Sequence, residues 1–136
     1  MKIIACLCNK GGLLFNHRRQ SRDRVLMQNL SEYIGDGAVF INDFSSSLFL
    51  NTEMSAIEVS SPLEAAGEDD FVFVENLSLS GHESKINEMV IYKWNRDYPA
   101  DFRLDVSPHD LGLSLVETSE FKGSSHDRIT REIYRK

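Results

Sequence analysis

Four arginines crowd one short stretch of this chain. Arg18, Arg19, Arg22 and Arg24 stand between Asn16 and the start of an apolar-periodic segment. Guanidinium groups grip phosphate or carboxylate at two points. A helix N-terminus, with its free N–H groups, also favours an anion. The cluster therefore fits a nucleotide, a sugar phosphate or an acidic peptide. Cations at a helix start are themselves disfavoured, so Asp23, nearby acids or a bound anion must offset them. Solvated charge paired with the many Asp and Glu residues is the plainer reading. Asp23 beside those arginines would have its pKa lowered, which suits an ion-pair partner and not a general acid. A second group is Tyr92, Lys93 and Trp94, where alternation puts both rings on one face of a strand. Such rings could stack on a heterocycle, or Trp94, the only Trp, could simply fill the core. With Asn9 and Asn16 from the opening loop, these residues (Asn9, Asn16, Arg18, Arg19, Arg22, Asp23, Tyr92, Trp94) form the expected ligand-binding set. No catalytic residue stands out and no metal ligands are spaced for a site. Ser124, Ser125, His126 and Asp127 are adjacent, and neighbouring side chains on a strand diverge, so they cannot make a triad among themselves. A tight hairpin explains them better.

The elements that must carry these groups follow from periodicity. Residues 2–8 read as a buried strand closed by Gly11 and Gly12. Residues 9–20 read as a loop. Val25, Leu26, Leu30, Tyr33 and Ile34 share one helical face, which predicts a helix over 22–34, capped by Ser21 and stopped by Gly35. Strands are expected at 38–42, 71–75 and 89–94, with a weaker one at 55–60. A short helix is expected within 43–51, with Ser45 as a cap. Residues 62–70 read as a helical turn plus loop, 77–88 as a short helix or loop, and 95–110 as irregular. Residues 114–121 and 127–134 form a hairpin across 122–125. The expected fold is a single α/β domain over 1–136, with a mixed, mainly antiparallel sheet and two to four short helices.

Bulk composition sets limits. The chain has 136 residues, 41% hydrophobic and 26% charged, which suits one core. A net charge of -6 repels a bulk phosphate backbone, so non-specific nucleic-acid binding is not expected. No apolar run approaches a membrane span and no signal peptide is visible, so a cytoplasmic setting without membrane contact is expected. Cys6 and Cys8 alternate on the first strand in a geometry unsuited to a disulfide, and reduced thiols are expected.

Several segments carry a family resemblance. The first strand runs into Asn9-Lys10-Gly11-Gly12-Leu13-Leu14-Phe15-Asn16. Later come Val90-Ile91-Tyr92, Ala100-Asp101-Phe102-Arg103-Leu104, Leu115-Val116 and the strand from Ser125 to Tyr134. In that order they resemble a shortened dihydrofolate reductase: a strand with a mobile loop, then a strand, an acidic-aromatic crossing and a long hairpin. The resemblance implies the dihydrofolate reductase-like fold and puts Asp23 near that family's substrate-gripping carboxylate. It puts Tyr92 where the family has a Thr. The chain departs from the family at Glu75-Asn76, where reductases carry a Gly pair that admits the cofactor phosphate. A carboxylate there opposes pyrophosphate, so no nicotinamide cofactor is expected. His17-Arg18-Arg19 replaces the family's Leu-Pro-Trp. Segments 18–24 and 93–101 are also similar to short bacterial proteins, some labelled ribonuclease Z. That chemistry needs a clustered His-x-His-x-Asp-His set, whereas His17, His82, His109 and His126 are scattered.

The sequence thus points to a reductase-like domain binding a nucleotide-like or other anionic small molecule. The expected cleft lies between the 11–19 loop, the first helix and the Tyr92 strand. The alternative is a non-catalytic interaction protein, such as a homodimer paired through an exposed strand or the terminal hairpin.

Overall fold

The computed structural model describes all 136 residues. Its elements in chain order are β1 (Lys2–Leu7), β2 (Gly12–Phe15), β3 (Arg18–Arg19), α1 (Arg24–Ile34), β4 (Ala38–Ile41), α2 (Asp43–Phe49), β5 (Ser55–Glu58), α3 (Pro62–Ala65), β6 (Phe71–Phe73), β7 (Glu88–Lys93), β8 (Phe102–Arg103), β9 (Ser114–Phe121) and β10 (Ile129–Arg135). A single 3-10 turn, Glu83–Lys85, lies between β6 and β7.

One sheet of seven strands runs β5-β4-β6-β1-β7-β10-β9. The expected α/β architecture with a mixed sheet and a C-terminal hairpin is what forms. The expectation of a mainly antiparallel sheet is corrected. Four of its six pairings are parallel, and only β10 against β7 and β9 is antiparallel. Parallel strands are covered on both faces and so read as unbroken apolar runs. Such runs reveal burial but not direction.

Two apolar cores follow from the strict alternation of these strands. Ile4, Phe71, Phe73, Val90 and Tyr92 face one side, where Leu26, Leu30 and Ile34 of α1 and Leu48 and Phe49 of α2 pack on them. Ile3, Ala5, Val72, Met89 and Ile91 face the other, against Leu63 of α3 and Leu13 and Leu14 of β2.

The opening loop carries more structure than its sequence suggests. β2 and β3 pair across Asn16 and His17, which both take positive φ, 51° and 61°. A two-residue hairpin turn of the primed type demands this. Asn-His hides the signal that Asn-Gly would give. β8, inside the segment read as irregular, pairs with β2 to complete a three-stranded ribbon. Gly12 is needed here because a Cβ would overlap that of Ala100 and lie 2.9 Å from Cys8 Sγ.

Two helix caps differ from expectation. α1 is capped by Asp23, not Ser21: the carboxylate accepts from the Val25 and Leu26 amides. α2 is capped by Asn42, not Ser45. The stop at Gly35 forms as expected, with φ 59°. Cys6 and Cys8 are both free thiols.

Candidate functional site

α1 begins where the β2–β3 ribbon, α2 and the β9–β10 turn converge, and two polar networks meet the sheet there. The first is built on Asp23. Its side chain is buried and accepts from every side. Oδ1 takes the amides of Val25 at 2.9 Å, Leu26 at 3.1 Å and Ser124 at 3.0 Å. Oδ2 takes the Ser125 amide at 2.9 Å and His126 Nδ1 at 3.0 Å. Burial alone would raise the pKa of this carboxyl. The amides of Ser125 and Ser124, the His126 ring and the Leu26 amide outweigh it and hold the group well below the usual carboxylate range.

His126 is the centre of this network. Its ring is buried and stacks on Trp94, with centroids 4.5 Å apart and planes inclined by 27°. Nε2 lies 3.1 Å from Ser21 Oγ and 2.9 Å from the Tyr98 hydroxyl. The 122–125 hairpin reading accounts for the turn but misses this role. Ser21 and Asp23 lie 105 and 103 residues upstream of it and Tyr98 lies 28 upstream, so the local sequence does not report the network.

The second network joins the ribbon to α2 and β6. Arg19 donates Nε to Glu75 Oε2 at 2.7 Å and Nη2 to Oε1 at 2.8 Å, a two-point ion pair. Ser45 Oγ donates to the same carboxylate at 2.7 Å. The hydrogen bond to Glu75 holds the Arg19 guanidinium charged more firmly than usual. Asn76, next in the chain, accepts from Asn42 Nδ2 at 2.8 Å.

The eight residues expected to line one cleft are thereby dispersed. Arg19 turns inward onto Glu75. It still borders, together with Arg18 and Asn16, an open recess of about 500 Å³ beside Phe15, Gln20 and Pro99. Arg22 and Arg24 flank a separate groove of about 280 Å³ between α1 and α2, floored by Met27 and Leu48. A recess of about 320 Å³, reaching Glu53, extends the groove along α1. Asn9 is exposed and donates to Asp97 at 3.1 Å, clamping the end of β1 to the turn after β7. Tyr92 and Trp94 lie inside the core, so neither ring forms a cleft wall. The Tyr92 hydroxyl donates to Asn29 Oδ1 at 2.7 Å, and burial pushes its pKa up.

The offset for the crowded cations is also assigned. Asp23 neutralises the start of α1, and it pairs with His126 and the hairpin amides, not with the arginines. It also consumes the helix amides expected to be open to an anion, while Ser124 Oγ takes the Arg24 amide at 3.0 Å. No group of three or more His, Cys, Asp or Glu side chains is placed to hold a metal ion.

No family model matches the chain, and no curated protein matches it in sequence. A solved dihydrofolate reductase from Enterococcus faecalis, complexed with NADP(H) and RAB-propyl, superimposes with a TM-score of 0.69. The match covers 98% of this chain and 94% of that one at 8% identity. The fold is dihydrofolate reductase-like. At that identity the likeness establishes architecture alone, and a ribonuclease Z assignment finds no support. Glu75, where the sequence resemblance leads us to expect a departure from a Gly pair, is locked in the ion pair with Arg19. No helix is long and apolar enough to cross a membrane.

Proposed function

We propose that this reductase-like domain binds a small anionic molecule, of nucleotide or organic phosphate type, in the groove between α1 and α2. The observation that carries the reading is a pair of uncommitted cations. Arg22 and Arg24 are both exposed at the groove's lip, and neither takes part in an ion pair. Asp23, between them, spends its charge inward on His126 and the hairpin amides. Two guanidinium groups over an apolar floor can hold phosphate oxygens while a base or chain packs on Met27 and Leu48.

The same reading disfavours a nicotinamide cofactor. Glu75 places a carboxylate on Arg19 and Ser45, so a pyrophosphate would have to displace an ion pair already formed. Titration calorimetry and thermal shift with pyrophosphate, mononucleotides, folates and reduced nicotinamide cofactor test both parts. Mononucleotide or pyrophosphate should raise the melting temperature, and Arg22→Ala with Arg24→Ala should abolish the rise. If no anion shifts the protein, the groove is not a binding site.

A second reading rests on the sheet edge. β9 has a partner on one side only, and Leu115 and Val116 on it are 49% and 51% exposed. An open strand of eight residues could pair with a second copy. Light scattering after size exclusion would show a dimer, and a monomer at every concentration would dismiss it.

A further inference from the structure

The linked side chains Ser21, His126 and Asp23 have a use that anion binding in the groove does not call on. We propose that they form a nucleophile, base and orienting acid able to cleave a small activated carboxylic ester. Ser21 Oγ stands 3.1 Å from His126 Nε2, and His126 Nδ1 stands 3.0 Å from Asp23 Oδ2. Hydroxyl, both ring nitrogens and carboxylate thus follow in the order that serine nucleophiles require, at hydrogen-bond reach throughout. Such relays are recognised by geometry and not by chain position.

The surroundings suit the roles. A relay carboxylate must stay ionised and fixed, and the hairpin amides around Asp23 achieve both. A relay imidazole must not rotate, and the Trp94 face against the His126 ring prevents it. Asp23 and His126 are buried, while Ser21 is only half-buried, so the nucleophile alone meets solvent. The backbone N–H groups of Ser21 and Arg22 make no backbone hydrogen bond. The N–H following a nucleophile is a position from which an oxyanion can be held. Arg22, next in sequence, favours an ester that carries negative charge.

In the first step Ser21 Oγ attacks the ester carbonyl carbon, and its proton passes to His126 Nε2. The tetrahedral intermediate collapses by breaking the bond to the leaving oxygen, which departs as the alcohol with that proton. Water then attacks the acyl-Ser21 carbonyl, with His126 as base, and releases the carboxylic acid and the free serine. Asp23 stays ionised throughout and holds the Nδ1–H. Tyr98 is a competitor, since its hydroxyl reaches the same Nε2 at 2.9 Å. A neutral ring nitrogen has one lone pair, so Ser21 is activated only when Tyr98 does not donate.

The 136-residue protein should hydrolyse p-nitrophenyl acetate above the buffer rate and take one fluorophosphonate label, mapped to Ser21 by mass spectrometry. Ser21→Ala should lose both while keeping its melting temperature near that of the parent, since the His126 bonds to Asp23 and Tyr98 remain. His126→Gln should lose both as well. Tyr98→Phe should increase the rate. A folded parent and a folded Tyr98→Phe that show neither label nor turnover would overturn the proposal. So would turnover that survives Ser21→Ala. Arg22 and Asp23 line the groove, whereas Ser21, Tyr98 and His126 do not, so variants at these last three leave the anion measurement independent.

Discussion

Gly123 stands flush against the carboxylate of Asp23, so close that a Cβ on Gly123 would overlap both Oδ2 and Cγ of that side chain. The same Cβ would come within 2.8 Å of Ile129 Cδ1. The glycine is therefore demanded by the space the carboxylate occupies, not by a positive φ. Gly123→Ala should cost about 2 kcal/mol, in the range for forced overpacking. Urea unfolding measures this directly, and an unchanged midpoint would show that the carboxylate does not sit there.

Acid should act on the protein through Asp23. Its folded pKa is depressed, so its contribution is present above the unfolded value of about 4 and is lost as pH falls below it toward the folded value. The melting temperature of the parent should drop steeply on going below about pH 4. Asp23→Asn should start lower, by about 3 kcal/mol at neutral pH, and show a shallower acid slope. Equal slopes for the two proteins would mean that this carboxylate is not the titrating group.

The ion pair between Arg19 and Glu75 should behave as a unit. Removing either partner strands the other where little water reaches it, at a cost of about 3 kcal/mol each. Arg19→Met combined with Glu75→Leu should be more stable than the sum of the two single losses predicts. Chemical denaturation of the four proteins closes the cycle, and strict additivity would mean no coupling across the 2.7 Å contact.

Tyr92→Phe removes one buried hydroxyl and leaves the ring in place. Asn29 Oδ1 keeps its bond from Arg131 Nη1 at 3.1 Å, so the loss should be about 1 kcal/mol. Binding of any groove ligand should not change, since Tyr92 is sealed in the core. An altered affinity measured by calorimetry would place the ring nearer the ligand than the packing allows.

Much of the scaffold was legible because its signals are local. β1, β4, β6 and β7 are short apolar runs between turn residues, and α1 shows its buried face at helical spacing. Gly35 ends that helix with the left-handed φ its sequence position implies. Caps were harder, since Ser21 and Asp23 are both good N-cap residues two positions apart, and only the meeting with Ser124 and Ser125 selects the carboxylate. Sheet direction was not legible either, because a strand buried on both faces looks alike in either orientation. The arginine cluster was visible as charge, but the destination of each guanidinium was not. Arg19 is captured by Glu75, and the two residues are far apart in sequence. The Ser21, His126 and Asp23 relay was hidden for the same reason: its base comes from the closing hairpin.

The cap of α1 completes itself only with amides from the turn between β9 and β10, so the chain's earliest helix depends on its last loop. Until that loop docks, the Asp23 carboxylate has only the Val25 and Leu26 amides of its own helix to accept from. Ordering of the helix start and closure of the β9–β10 turn should consequently be coupled, each completing the other.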